Sequence, residues 1–240
     1  MIQIHADVVG SLLRPPELLQ AQKNLAAGVL SPPRFAEIEN RAVDQAIALQ
    51  EDTGLPIITD GEMRRQSFQS QMTAAVSGFG EFDLDAFLWG DWHDGQALYR
   101  EPRPRRLGAV ARLKRLRYLS ADEFSYLKER TSRTPKITIP SPSLWANFWS
   151  PRYSRHAYAT LEAFLADIAG ILREEVVELV RRGAAYIQID APHYGLLLDP
   201  RTRSFYERLG WSVDRWLDFG SEFDNAIMDG FPDVTFGLHL

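Results

Sequence analysis

The sequence predicts an α/β fold, specifically a (β/α)8 barrel of the TIM type whose closing strands are missing from this chain. Apolar, strand-like runs alternate with amphipathic helical segments, which is typical of parallel α/β architectures. Three runs end in polar turns, where barrels of this type carry their active sites: Val9-Gly10-Ser11, Thr59-Asp60-Gly61-Glu62 and Gln188-Ile189-Asp190-Ala191-Pro192. We count about five strands, whereas a closed barrel needs eight and about 250 residues. The sequence therefore predicts an incomplete barrel or an open sheet.

The first two strands are predicted on either side of a helix. Residues 4–9 form the first apolar run. Ser31 is a candidate N-cap for the helix, Pro32 suits its first turn, and Gly54 can end it. The run Leu55–Asp60 then predicts the second strand.

Residues 78–119 interrupt this alternation. Aromatic and acidic residues come first, and a basic stretch from Arg100 to Arg117 follows. We interpret the segment as an excursion from a single domain of residues 1–240, forming a hairpin or a lid over the barrel mouth. The basic stretch is expected to be a solvated edge; the alternative is that it attracts an anionic ligand tail.

The second half of the chain returns to alternating strands and helices. Ser120-Ala121-Asp122-Glu123 is a capping-box pattern that predicts a helix ending at about Arg130. Lys136–Pro140 predicts the third strand. The longest helix is predicted from about Tyr158 to Arg182, with one apolar face and Gly183 at its end.

Two more strands complete the predicted set. Ala184–Ile189 is apolar apart from Gln188, which is typical of a parallel strand covered on both faces. Ser212 is expected to begin a helix and Gly230 to end it. Val234–Leu238 is then expected to form the last strand.

Composition and charge limit the classes of function. The net charge of -5 does not favour a nucleic-acid partner. No apolar run approaches the roughly 20 residues that span a membrane, and no basic segment precedes an apolar core at the N-terminus, so we expect a cytoplasmic location. The chain has no cysteine, and it therefore offers neither disulfides nor thiolate metal ligands.

The ordered motifs resemble the catalytic C-terminal barrel of the cobalamin-independent methionine synthase family, in particular its short single-barrel relatives. Any one motif is weak evidence, but their order and spacing cover essentially the whole chain. The matching segments are Val9-Gly10-Ser11 with Arg14-Pro15, Asp60-Gly61-Glu62 with Arg64, Ile139-Pro140-Ser141-Pro142-Ser143, Gln188-Ile189-Asp190-Ala191-Pro192 and Gly237-Leu238-His239.

This resemblance implies a zinc-dependent S-methyltransferase. It would move a methyl group from a methylated folate, or a similar donor, to the thiol of homocysteine, giving methionine. A thiol with a pKa of about 8.5 is mostly protonated at neutral pH, and binding to zinc removes that proton. The expected partner is therefore a small-molecule thiol, with no nucleic acid and no membrane.

The resemblance also implies how the amino acid is held. Ser11 and the backbone around Gly10 would bind the substrate carboxylate, which needs N–H or hydroxyl donors. Glu62 and Asp190 would bind its ammonium group.

Two further residues fall at cofactor positions of the family. Trp149 would offer a ring on which the pterin stacks, and His239 would be the first zinc ligand. In the family a cysteine follows soon after this histidine, and a glutamate and a second cysteine come later, whereas this chain ends one residue after His239. We therefore expect a C-terminal truncation, with the other zinc ligands absent and an open barrel edge through which the chain can self-associate. Ala191 stands where the family often has glutamate, which weakens the expectation of folate.

Each of these residues also has a structural interpretation. Asp190 can cap its turn, Glu62 can pair with a neighbouring arginine, and Ser11 can satisfy backbone groups. Trp149 and His239 can simply pack in the core.

The sequence leaves three other functions open. A thiol alkyltransferase of the coenzyme M type binds a sulfonate without an ammonium, which would leave Glu62 and Asp190 without a purpose. A non-catalytic truncated barrel that binds an amino acid or another chain is the second alternative. A decarboxylase on a related barrel would prefer arginines to this acidic pair, because its substrates are polycarboxylates.

Overall fold

The computed structural model describes residues 6–80, 91–94, 97–100, 108–208 and 210–240. Strands and helices alternate through the second half of the chain, as in other α/β folds. The elements in chain order are α1 (Pro16–Ala26), α2 (Pro32–Asp52), β1 (Ile57–Ile58), α3 (Ser70–Ala75), β2 (Val76–Gly80), β3 (Asp91–Asp94), β4 (Ala97–Arg100), β5 (Gly108–Arg115), α4 (Ala121–Lys128), β6 (Thr134–Pro140), a 3-10 helix (Pro142–Phe148), α5 (Leu161–Arg181), β7 (Tyr186–Asp190), α6 (His193–Leu196), α7 (Pro200–Arg208), α8 (Val213–Met228) and β8 (Thr235–His239).

Four strands form one sheet in the order β1-β6-β7-β8, which is also their order along the chain. The ladders between neighbours are all parallel. A (β/α)8 barrel has this arrangement, because each connection returns through a helix to the next strand. The register aligns Pro140 with Asp190 and Asp190 with His239, so these residues share one row at the carboxyl ends of β6, β7 and β8.

The two faces of the sheet differ in polarity because side chains alternate along each strand. One face is apolar, is at most 1% exposed and packs in the main core with α5 and α8; its residues on β6 and β7 are Ile137, Ile139, Ile187 and Ile189. The other face, called the polar face below, is also buried; its residues there are Lys136, Thr138, Gln188 and Asp190. Functional side chains can therefore gather on the polar face without disturbing the core.

The first predicted strand, residues 4–9, is wrong in its described part, which has no strand structure. Its carbonyl groups accept hydrogen bonds from side chains of the polar face. Lys136 donates to the Val8 carbonyl at 2.5 Å, and Gln188 donates to the Val9 carbonyl at 2.7 Å. Side-chain donors thus replace the ladder partners that a strand would have had.

Four predicted helices are confirmed: α2, α4, α5 and α8. α2 follows Ser31, and α8 follows Ser212, whose hydroxyl accepts from the Arg215 N–H at 3.2 Å. α5 begins slightly later than predicted, after Thr160, and is followed by Gly183 with a φ of 91°. Helices α1, α3, α6 and α7 lie outside the predicted set, and most of them are too short to show a clear apolar period.

The predicted capping box at residues 120–123 does not form. α4 begins at Ala121, but the Ser120 hydroxyl makes no cap hydrogen bond. The Glu123 carboxylate instead accepts from Arg65 Nε at 2.9 Å and from Gln71. A buried guanidinium requires a carboxylate, and this requirement outweighs the roughly 1 kcal/mol that a cap contributes.

The excursion at residues 78–119 contains antiparallel ladders. β2 pairs with β5, and β3 pairs with β4, which matches the expected hairpin character. Within the described part of the basic stretch, Arg112 forms an exposed ion pair with Asp167 at 3.0 Å. The lid role and the single-domain boundary stay predictions.

The outer edge of the sheet is β8, which pairs only with β7 among the described residues. Self-association through this edge stays a prediction. Among the residues that the structure describes, no helix combines the length and the apolar character needed to cross a membrane.

Candidate functional site

The turn after β1 places Glu62 at the carboxyl end of the sheet. Gly61 and Glu62 have positive φ angles of 67° and 54°. For a residue other than glycine this backbone costs on the order of 1–3 kcal/mol, and it persists only where the surroundings hold it. Asp60 Oδ1 accepts from the Glu62 N–H at 2.9 Å, and Arg14 donates to the Glu62 carbonyl at 3.0 Å. These contacts fix the direction of the Glu62 side chain.

Three side chains donate to the Glu62 carboxylate. Thr138 Oγ1 donates to Oε1 at 2.6 Å, and Arg65 Nη1 donates to the same oxygen at 3.2 Å. The Ser11 hydroxyl donates to Oε2. Because Thr138 lies on the polar face, Glu62 is anchored on the side of the sheet that carries Asp190.

Gly10 lies directly against this carboxylate. A Cβ atom at Gly10 would come within 2.7 Å of Glu62 Oε1 and 3.1 Å of Thr138 Cγ2, so only glycine allows this approach. Among the described residues, the N–H groups of Gly10 and Ser11 have no hydrogen-bond acceptor. These two N–H groups are available to bind an anion.

Arg65 connects Glu62 to a second buried carboxylate. Its side chain is 1% exposed and donates to Glu123 Oε2 at 2.9 Å and to the Thr138 carbonyl at 3.0 Å. Burial lowers the pKa of Arg65, but Glu123 and Glu62 raise it by more, so that it lies above its ordinary value. Arg65 is therefore a permanent cation between two buried carboxylates.

The cluster around Arg65 contains more carboxylates than cations. Asp60, Glu62 and Glu123 surround one guanidinium, and each is at most 4% exposed. Burial raises the pKa of Asp60, and Asp60 Oδ2 is buried without a partner. Burial also raises the pKa of Glu123 to about 7. An excess of buried carboxylate favours the binding of a further cation.

The raised pKa of Glu123 predicts that this group's contribution to stability is lost as the pH rises. Between its ordinary pKa of 4.5 and its folded pKa of about 7, the folded state binds more protons than the unfolded state. The contribution is complete below the lower value and disappears through the upper one, a loss of up to about 3 kcal/mol. Urea unfolding from pH 4 to 8 checks this, with Glu123→Gln expected to show a flatter profile than the wild type. Parallel profiles would contradict it.

Asp190 lies beside Glu62 and His239. Its Oδ1 accepts from Gln188 Nε2 at 2.7 Å and faces His239 Nδ1 at 3.1 Å. Burial raises the pKa of Asp190, the Gln188 hydrogen bond lowers it, and the charge of Glu62 raises it again. Gln188 Nε2 also donates to the Val9 carbonyl at 2.7 Å, and the adjacent Gly10 lies against Glu62 Oε1, so the two carboxylates are near each other. The structure therefore brings together Ser11, Glu62, Asp190 and His239.

The described residues do not fit a zinc site. No group of three His, Cys, Asp or Glu side chains among them is arranged to hold a metal ion. His239 Nδ1 faces Asp190 Oδ1 at 3.1 Å, a hydrogen-bond distance. Since a zinc site needs three or four protein ligands, His239 supplies one donor at most. Its role as a ligand stays a prediction.

Trp149 is not among the residues that hydrogen-bond Glu62 or Asp190. Its ring is 7% exposed within the main core, and its indole N–H donates to the Tyr158 carbonyl at 3.1 Å. Stacking of a pterin needs an accessible ring face, so this packing favours the structural interpretation. The pterin role stays a prediction.

Four residues that support Glu62 or Asp190 through hydrogen bonds are absent from the predicted site: Arg65, Lys136, Thr138 and Gln188. The strand residues had a signal, because polar and isoleucine residues alternate in Lys136-Ile137-Thr138-Ile139 and because Gln188 interrupts an apolar run. The pairing of Glu62 with a neighbouring arginine was expected and is formed by Arg65, but its second partner, Glu123, is 58 residues away along the chain and had no comparable signal.

A second buried polar cluster adjoins Asp190. Ser141 donates through its hydroxyl to Asp224 at 2.6 Å and through its N–H to the Asp190 carbonyl at 2.9 Å. Ser143 Oγ and His193 Nε2 are 2.8 Å apart. Burial lowers the pKa of His193 to about 3, so this imidazole is neutral. The cluster ties the 3-10 helix, α6 and α8 to the end of β7.

Comparisons with known sequences converge on one family. Residues 5–218 match the family model described as the catalytic domain of cobalamin-independent synthase. The chain is 24% identical over 237 residues to the uncharacterized protein YxjH of Bacillus subtilis. This alignment covers 98% of this chain and 60% of that protein. It is 31% identical over 187 residues to a methionine synthase of Pyrococcus abyssi. This alignment covers 78% of this chain and 51% of that protein.

Solved structures show the same α/β fold. A putative vitamin-B12 independent methionine synthase from Listeria monocytogenes superposes with a TM-score of 0.73 and 20% identity, covering 99% of this chain and 65% of that chain. A B12-independent methionine synthase from Shewanella sp., in complex with selenomethionine, gives a TM-score of 0.63 and 19% identity, covering 88% and 54%. The chain thus spans between about half and two thirds of the length of these proteins. Closure of the barrel stays a prediction.

Proposed function

The chain belongs to the family of cobalamin-independent synthase catalytic domains, and on this premise we propose that it binds an amino-acid thiol of the homocysteine type for methyl transfer, giving methionine. The observation that carries the proposal is the buried carboxylate pair of Glu62 and Asp190 beside the N–H groups of Gly10 and Ser11. One end of this site is acidic and the other offers anion-binding donors. An amino acid has the complementary pair of charges.

The ligand's ammonium group is proposed to bind between Glu62 and Asp190. Each carboxylate is at most 4% exposed, and the charge of Glu62 contributes to the raised pKa of Asp190. A cation placed between them offsets this repulsion and stabilises both charged forms. A sulfonate ligand without an ammonium would instead add negative charge, so the geometry disfavours coenzyme M.

The ligand's carboxylate is proposed to bind the N–H groups of Gly10 and Ser11. The Ser11 hydroxyl already donates to Glu62, so the backbone rather than the hydroxyl is the proposed donor. The Shewanella protein was solved with selenomethionine, an amino acid that carries the same ammonium and carboxylate groups. We extend that ligand class to this chain.

The thiol must become a thiolate before it can attack a methyl donor. Zinc would supply this deprotonation, as the resemblance to the family implies, but we assign no step to a metal because the described residues do not fit one. A methylated folate would be the donor on the same ground. It would have to bind away from the buried ring of Trp149, and Ala191 offers it no polar side chain.

Calorimetric titration tests the proposal. The ligands are L-homocysteine, L-methionine, their des-amino analogues and coenzyme M. We expect the amino acids to bind at least about tenfold more tightly than the analogues, because a charge-assisted hydrogen bond is lost without the ammonium. Equal binding of the analogues, or tighter binding of coenzyme M, would overturn the proposal. Amino-acid binding without methyl transfer from a methylated folate would favour the non-catalytic alternative.

We expect the 240-residue chain to keep no stoichiometric zinc after dialysis. His239 is one donor, and tight binding needs at least three protein ligands. Metal analysis of the dialysed wild type and of His239→Ala checks this. One retained zinc ion that disappears in His239→Ala would show that residues outside the described ones complete the site.

A further inference from the structure

Lys136 is a cation enclosed by the polar face and the N-terminal segment. Its side chain is not exposed to solvent, and Nζ donates to Asp7 Oδ2 at 2.7 Å, to the Val8 carbonyl at 2.5 Å and to Gln188 Oε1 at 2.8 Å. An ammonium group has three N–H donors and no acceptor. All three donors are therefore used, and the atom of Gln188 that faces Lys136 must be its oxygen.

The orientation of the Gln188 amide follows from this contact. With its oxygen on Lys136, its NH2 group faces the Val9 carbonyl and Asp190 Oδ1, both at 2.7 Å. The flipped amide would set an NH2 group against an ammonium and an oxygen against two acceptors. Lys136 and these two acceptors together determine that Gln188 donates to Asp190.

The consequence for Asp190 is that its two oxygens differ. Oδ1 is occupied by Gln188 and faces His239. Among the described residues, none donates a hydrogen bond to Oδ2. Unlike Asp60 Oδ2, this oxygen is not fully buried. Asp190 Oδ2 is therefore the oxygen left for a ligand.

We propose that Lys136 and Gln188 are positioning residues that hold Asp190 with Oδ2 directed toward the ligand's ammonium group. The proposal rests on the proposed function, because it concerns the same amino-acid site. Neither residue is assigned a contact with the ligand. Their effect passes through the orientation of one carboxylate.

The decisive variant is Gln188→Met, which keeps the length of the side chain and removes both the amide oxygen and the NH2 group. We expect the affinity for L-methionine to fall about tenfold, since Asp190 loses the donor that orients it, while the des-amino analogue changes by less than about twofold. Lys136→Met should act in the same direction but more weakly, because the Gln188 oxygen then loses its donor while the NH2 group keeps its two acceptors. Tyr158→Phe is the matched control: it removes a buried hydroxyl that bonds Leu113 and Asp167, outside this network, and should leave the preference unchanged.

The preference for the amine separates the possible outcomes. A merely structural loss would weaken both ligands alike, whereas lost positioning weakens only the one with an ammonium. If Gln188→Met keeps the full wild-type preference, the positioning role is overturned while the proposed function stands. If the wild type itself shows no preference, both are overturned. Should Lys136→Met fail to fold, Gln188→Met alone decides.

Discussion

Asp190→Asn is expected to weaken the binding of an amino-acid thiol roughly tenfold to a hundredfold, because one partner of a buried charge-assisted hydrogen bond is lost. A des-amino thiol has no ammonium group and should lose little. Asp190 is 4% exposed, so water does not easily replace the missing charge. Paired calorimetric titrations of the wild type and the variant with L-homocysteine and its des-amino analogue measure the effect.

The neighbours of Asp190 make asparagine do more than remove a charge at this position. The N–H group of Gln188 requires an acceptor at the position of Oδ1. The amide oxygen of the new side chain satisfies this requirement, which places its NH2 group at the position of Oδ2. Two N–H donors then point toward the ligand's ammonium, where an acceptor is needed.

Asp167→Asn is the matched control for this experiment. Asp167 is a partly exposed carboxylate that binds Arg112 and Tyr158, away from the polar face. Its replacement should leave both affinities unchanged. Equal losses of both thiols in Asp190→Asn would mean that Asp190 supports the turn or the fold, and would remove the main reason to prefer homocysteine over coenzyme M.

The sheet could be predicted from the sequence because its strands carry their own signals. The runs around Ile57, Ile137, Ile187 and Phe236 are apolar and are each followed by a turn or a polar residue. Their order along the chain is also their order in the sheet. The first run failed as a strand, because the carbonyl groups of Val8 and Val9 are bonded by the side chains of Lys136 and Gln188 and not by a neighbouring strand.

The positions of Glu62 and Asp190 at one end of the sheet could be predicted, because Glu62 lies in the turn after one apolar run and Asp190 ends another. Which residues support them could not be predicted, because hydrogen bonding between distant residues leaves no local period. Lys136 and Gln188 are 52 residues apart. Each is a polar residue beside apolar ones in its own strand, and nothing near it in the sequence indicates its partner. Glu123 even carried a misleading signal, since its spacing from Ser120 suits a capping box while its carboxylate belongs to Arg65.

Arg65→Met is expected to destabilise the folded protein by about 3–5 kcal/mol, the usual cost of removing one partner from a buried ion pair. Among the described residues, Arg65 is the only cation that pairs with the carboxylates of Glu62 and Glu123. Without it, these carboxylates and Asp60 remain in a site that excludes water. They must then take up protons or draw water into the core. Urea unfolding at pH 7.5 measures the loss.

Arg112→Met provides the comparison for this variant, because Arg112 is also paired with a carboxylate but its side chain is 65% exposed. Its replacement should change the free energy of unfolding by at most about 1 kcal/mol. Adding Glu123→Gln to Arg65→Met should restore part of the stability, since one of the unpaired buried charges is then removed. If Arg65→Met costs no more than Arg112→Met, the excess of buried negative charge is not held by Arg65. An ammonium ligand at Glu62 and Asp190 would then have no excess of buried negative charge to offset.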